Sequence, residues 1–343
     1  MAAARSRGER RGGAWRRAGV QALAAAVVLA GCVGQTAPPA PAPASASLAR
    51  DVPPEPRASA GASPEGDALR SFYAGVEQQL ISSGRLRRDP APADVPFSDD
   101  DLVRDFVRIA LYDEYTDVNG RFMHAEQPAL LRRWETPVRV AVMTGAAEPP
   151  EDAARDRGNV AAFTQRLAHL TGHDVALSQG GGDANFLVLF MTSAEREAFA
   201  DQVRAMYPDF APAVVTALRN ATIDNFCITY AFWDKANPSV YSAVIVLIRA
   251  EHPAFTKMSC VQEEMSQAMG LPNDSPDARP SLYNDDLEFA VLTEHDAILL
   301  RMLYDPRLKP GMSAAEALPL LPAIAADARA AEARDAGVAV AVN

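Results

Sequence analysis

The stretch SCVQEEMSQAMGLPNDSPDARPSLYNDD, residues 259–286, sets a short helical pattern against a long run of turn formers. Val261, Met265, Ala268 and Met269 fall at i, i+4, i+7 and i+8, one apolar face of a helix that packs on a sheet. Ser259 and Gln262 form a capping-box pair and Gly270 supplies a stop, so the spacing predicts a helix over 259–270. Glu263 and Gln267 are four apart and share the opposite face, which meets solvent or a cleft. Beyond Gly270 the acids Asp274, Asp277, Asp285 and Asp286 read first as a solvated loop, because PNDSPDARP is dense in turn residues. The same acids also suit an oxygen-liganded cation such as Ca²⁺.

Upstream, TIDNFCITYAFWD and SVYSAVIVLIRAE read as strands. Before them come strands at 174–178 and 186–192, a helix at 193–206, a helix at 159–170 stopped near Gly172, and a strand in PVRVAVMTG, 137–145. Ser98 and the three aspartates after it start a helix whose apolar stripe is Leu102, Phe106 and Ile109. This alternation predicts an α+β, α/β-like domain with a mixed twisted sheet and packed helices. SQGGGDANF, 178–186, lacks a P-loop lysine and reads as a turn beside the cleft.

The chain opens with Arg5, Arg7, Arg10, Arg11, Arg16 and Arg17, followed by the short apolar run AGVQALAAAVVLAGC. That is a leader too short to span a bilayer, which needs roughly 20 apolar residues. Leu29 to Cys32 resembles the lipobox of bacterial lipoproteins, which implies cleavage after residue 31, lipidation of Cys32 and a place on the periplasmic side of the envelope. Val33 carries no inner-membrane retention signal, so the outer membrane is expected. The expected organisation is a leader at 1–31, a Pro/Ala-rich tether at 32–64, one domain at 65–312 and an Ala-rich, frayed helical tail at 313–343. Loss of the leader moves the formal charge from −11 to about −16, which argues against nucleic acid as a partner. Cys227 and Cys260 are the two cysteines left, and in an oxidising compartment they pair as a disulfide.

EEMSQAMGLPN, 263–273, resembles the zinc-binding segment of the metzincin peptidases with its histidines replaced. In that register Glu263, Gln267 and Asn273 stand at the three zinc-ligand positions, Glu264 at the general base and Gly270 at the turning glycine. PSLYND, with Tyr283, is similar to the methionine-turn segment, and LTEHDAILLRMLYD, 292–305, to the closing helix. The order of elements also fits a metzincin-like domain. Over residues 95–312 the chain resembles a family of bacterial lipoproteins, domain of unknown function 2927, most specifically in CVQEEMSQAMGLPNDSPDARPS and LYDPRLKPGM.

The replacements decide the chemistry this resemblance implies. One carboxylate and two amides are poor ligands for zinc, and without zinc no water is brought to a pKa near 7. No zinc is therefore expected, and an all-oxygen set suits Ca²⁺ or Mg²⁺ better. His169 and His173 have Gly172 between them, His295 reads as a capping or core-edge residue, and His124 and His252 stand alone. Three readings are open. The first is a pseudo-enzyme that binds a peptide, an envelope polymer or an envelope protein through Glu263, Gln267, Asn273, Asp274 and Tyr283. The second is a hydrolase using Glu263 and Glu264, and the third a purely structural lipoprotein.

Overall fold

The computed structural model describes residues 64–342 apart from 118–121, 181, 207–214, 217, 220–222, 224, 235 and 285. The leader, Cys32, the tether before residue 64 and Asp285 lie outside the described residues. In chain order the elements are α1 (Pro64–Ser82), α2 (Asp99–Ala110), β1 (Tyr112–Asp117), β2 (Phe122–Pro128), β3 (Val138–Thr144) and α3 (Pro150–Thr171). They continue with β4 (Val175–Leu177), β5 (Phe186–Met191), α4 (Ser193–Met206), β6 (Cys227–Trp233) and β7 (Tyr241–Arg249). The chain closes with α5 (Ala254–Gln267), α6 (Glu294–Leu303), α7 (Ala314–Ala317) and α8 (Leu321–Val342).

The apolar runs build a five-stranded sheet in the order β4, β3, β5, β7, β6. Four strands are parallel, and β6 pairs antiparallel on the edge of β7, with Thr229 opposite Val246. All of β5 is buried and β7 nearly so, because helices cover both faces of these inner strands. Alternate side chains therefore enter two cores. Val140, Val188 and Val246 meet α2, α3, α5, α6 and α8, while Leu187, Leu189 and Leu247 meet Phe199 and Val203 of α4. The domain is thus α+β with a mixed sheet. β1 and β2 form a separate antiparallel hairpin.

Local chemistry sets the helix ends. Ser98 and Asp101 cap α2 reciprocally, and Gly172, at φ 64°, ends α3. The start of α5 corrects the capping box expected at Ser259. The helix begins five residues earlier, and Ser259 is buried within it. Its N-terminal donors are met from α1, where Glu77 Oε2 accepts from Thr256 N at 3.1 Å and Thr256 Oγ1 at 2.7 Å. A carboxylate there also complements the positive end of the helix dipole. Gln262 Oε1 instead accepts from Leu292 N at 2.8 Å. Lys257, buried in the first turn, ties α5 to Glu148 just before α3 at 2.6 Å and to Asp156 within α3 at 2.5 Å. Burial pushes the Glu148 carboxyl up to about 7, against the pull of Lys257 and with the help of Asp156.

Gly270 has φ 128°, and a Cβ there would collide with the Arg132 carbonyl oxygen. Only glycine lets the chain pass at this point. The Ala-rich segment expected as a frayed tail is instead docked. Leu321, Ile324 and Ala325 of α8 are fully buried in the larger core, and Arg301 of α6 pairs with Glu332 at 2.8 Å. Among the described residues no helix is long and apolar enough to cross a membrane.

Candidate functional site

Helix α5 turns Glu264 inward, under the edge strand. The Glu264 carbonyl accepts from Thr229 Oγ1 of β6 at 3.1 Å, and the residue is 6% exposed. Burial pushes its carboxyl up to about 7. A hydrogen bond with Thr229 opposes the shift, and the charge of Glu114 on β1 adds to it. Next to Glu114, burial and the Glu114 carboxylate push the Tyr115 phenol up to about 12, with smaller contributions from Asp274 and Glu264. His124 of β2 packs edge-on against Tyr115 and approaches Glu114 at 3.9 Å, so it does not stand alone. The hairpin thus brings Glu114 and Tyr115 beside the acid on α5, with His124 packed against those two. Sequence spacing misses this group, because β1 and β2 are polar strands about 150 residues away with no chemical motif.

The other residues singled out in the motif have different neighbours. Gln267 Nε2 donates to Asp274 Oδ1 at 2.8 Å, which ties the end of α5 to the following loop. Asn273 closes α2: its Nδ2 donates to the Arg108 carbonyl and to Glu126 Oε1, each at 2.9 Å, and its backbone N–H to the Ile109 carbonyl at 3.2 Å. Those carbonyls belong to the last turn of α2, which has no helical donors of its own for them. Glu263 lines a cavity against α1. Tyr283 is fully buried, its phenol pushed well above the ordinary value by burial and by Asp296, with the Ser266 hydroxyl beside it. The structure therefore joins Gln267 with Asp274, and gives Asn273, Glu263 and Glu264 separate surroundings.

The loop acids behave as turn residues. Asp277 and Asp286 are exposed, and Asp286 Oδ1 accepts from Glu288 N at 2.8 Å. Among the described residues no three His, Cys, Asp or Glu side chains are grouped so as to hold a metal ion. The donor set at the motif does not fit zinc: it offers one carboxylate and two amides, and the Asn273 amide nitrogen is committed to α2 and Glu126. His169 binds Asp335 at 2.7 Å, and His173 binds the Thr136 carbonyl at 2.8 Å, both on the surface. His295 is fully buried between Asp105 at 3.1 Å and Asp296 at 3.4 Å. Burial opposes its charge, but those two acids outweigh it and raise the imidazole above its ordinary value.

Cys227 of β6 and Cys260 of α5 form a disulfide, with Cα atoms 5.9 Å apart. It joins the edge strand to the second turn of the helix. Closing a loop with a sequence separation of 33 contributes about 3 to 4 kcal/mol on the chain-entropy model.

The fold and site define a mixed α+β domain with a buried acid between its antiparallel edge strand and a polar hairpin. The model of the family described as "Protein of unknown function (DUF2927)" matches residues 99–323, well over half of the sequence, and the chain belongs to that family. The match runs from α2 into α8 and leaves out α1. Searches of curated proteins and of solved structures returned no match.

Proposed function

We propose that this chain is a lipid-anchored envelope protein whose metallopeptidase-like domain binds a peptide or envelope polymer without cleaving it. The observation that carries the reading is how the motif's side chains are used. Gln267 is spent on Asp274 and Asn273 on the end of α2, while Glu264, at the position of a general base, is buried and near half-protonated at neutral pH. A base that must lose its proton to act is poorly served by such a site unless a cation stands beside it. The resemblance supplies the rest of the support, since the helix, its turning glycine and the strand before it are kept while the imidazoles are replaced. Anchoring through Cys32 would leave the acidic domain on the tether that comes after it.

A second reading, a metal-free hydrolase, is favoured by one observation: the Glu114 carboxylate lies near enough to Glu264 to raise it, and His124 approaches Glu114 at 3.9 Å. Two neighbouring carboxyl groups can serve as acid and base. Glu263 is not part of that pair, because it faces the α1 side. Co-sedimentation of the purified chain with isolated envelope polymer separates the readings. Retained protein and an intact polymer are expected, with binding weakened by Gln267→Ala. Soluble fragments released by the protein, and lost in Glu264→Gln, would contradict the proposal.

A further inference from the structure

Lys257, Glu148 and Asp156 meet where α5, the turn after β3 and α3 come together, with side chains 2%, 1% and 0% exposed. We propose that this cluster is a modification site at which the chain cross-links itself, an amide bond forming between Lys257 Nζ and Asp156 Cγ while Glu148 carries the protons. The inference goes beyond the reading above and stands whether or not the domain binds a polymer.

Each residue's position fits one part of that reaction. Glu148 Oε1 is 2.6 Å from Nζ and aligned to accept its hydrogen bond, the arrangement through which a proton moves. Asp156 Oδ2 is 2.5 Å from Nζ but is not aligned as an acceptor. Its Cγ, one C–O bond further on, is therefore within about 3.7 Å of the nitrogen. Reacting atoms held about 3 to 3.5 Å apart are close to attack, and fixing the two groups there replaces the high concentration that condensation needs in solution. The atoms balance without a co-reactant. Glu148 takes one proton from the Lys257 ammonium and passes it to an Asp156 oxygen. The freed amine forms the N–Cγ bond and loses a second proton by the same route, and one Asp156 oxygen departs with both as water.

Burial supplies the drive. Two carboxylates facing one ammonium leave an uncompensated charge in the core. Glu148 Oε2 and both Asp156 oxygens find no aligned hydrogen-bond donor among the described residues, and Arg155 Nε stays 3.7 Å from Asp156 Oδ1. The surroundings are dry: Phe190, fully buried, has its ring centre 5.9 Å from Nζ, and Val160, also fully buried, lies one turn beyond Asp156 on α3. Burial pushes Glu148 up to about 7, so it can hold or release a proton at neutral pH. Amide formation removes the charges of Lys257 and Asp156 together, and a protonated Glu148 then leaves the cluster neutral. The water passes to bulk, and the closed core keeps it from returning to hydrolyse the bond. The cross-link closes a loop of roughly 100 residues and ties α5 to α3 one turn before Cys260 ties it to β6.

The test is peptide mapping by mass spectrometry of the purified exported chain, denatured, reduced and digested with trypsin. Trypsin is expected not to cut after Lys257. The peptide through that residue should carry Asp156–Arg157 on the lysine side chain and be lighter by one water than the two pieces together. This branched peptide should be absent from Lys257→Arg, which keeps the charge without the amine, and from Glu148→Gln, which keeps the shape without the proton carrier. If Glu148→Gln does not fold, the digest of the parent chain still decides. Complete cleavage after Lys257 in the parent, a water lost within one unbranched peptide, attachment to Glu148 in place of Asp156, or an undiminished branched peptide in Glu148→Gln would overturn the proposal.

Discussion

Glu264 shows how one position changes character when its surroundings change. A glutamate on an exposed helix face ionises near 4.5, but here burial and the Glu114 charge carry it to about 7. Glu148 shifts in the same direction beside Lys257. Both acids bind protons more tightly in the folded chain than in the unfolded one. Their stabilising contribution is complete below about 4.5 and is lost as pH rises through 7. Glu264→Gln removes one of the two. The variant is expected to match the parent near pH 4 and to exceed it by roughly 3 kcal/mol near pH 8, read from denaturant melts. A constant difference at all pH values would show that Glu264 does not titrate as described. At this scale the motif was legible and its neighbours were not. Glu263, Gln267 and Asn273 could be named from their register, but hydrogen bonds to Asp274, Arg108 and Glu126 arise from packing that no local pattern encodes.

Elements were legible where burial imposes a period. β5 and β7 are continuous apolar runs because both faces are covered, and the stripe of α2 and its cap are plain in the sequence. Those left out lack such a signal. α1 buries Tyr73 alone, and β1 and β2 carry acids, a histidine and glutamine where an inner strand carries valine. α5 misled in one respect: Ser259 and Gln262 have capping spacing, yet Glu77, distant in sequence, caps the true start. α8 is the sharpest case. Its alanines suggest a marginal helix, but Leu321, Ile324 and Ala325 complete the core beneath α2 and α6. A chain ended after Met312 loses that burial. Each large aliphatic group costs about 2 to 5 kcal/mol, so a fall of about 10 °C or more in the thermal midpoint is expected, on the order given by domain size. An unchanged midpoint would show α8 to be dispensable.

At the scale of the molecule, the sheet carries its antiparallel strand on one edge, and α5 returns against it. The disulfide joins the two, so the element bearing Glu264 is fixed to the strand that covers it. On the proposed reading, the domain keeps the layout that a catalytic centre would use while its side chains serve as caps, turns and core. The motif's carboxylates and amides then have no means of activating water. The most direct measurement is metal content and peptide turnover after equilibration of the purified chain with excess zinc and removal of the free ion. The account predicts zinc far below one per chain and no cleavage of a broad peptide library. Stoichiometric zinc, with turnover that chelation abolishes and added zinc restores, would contradict it.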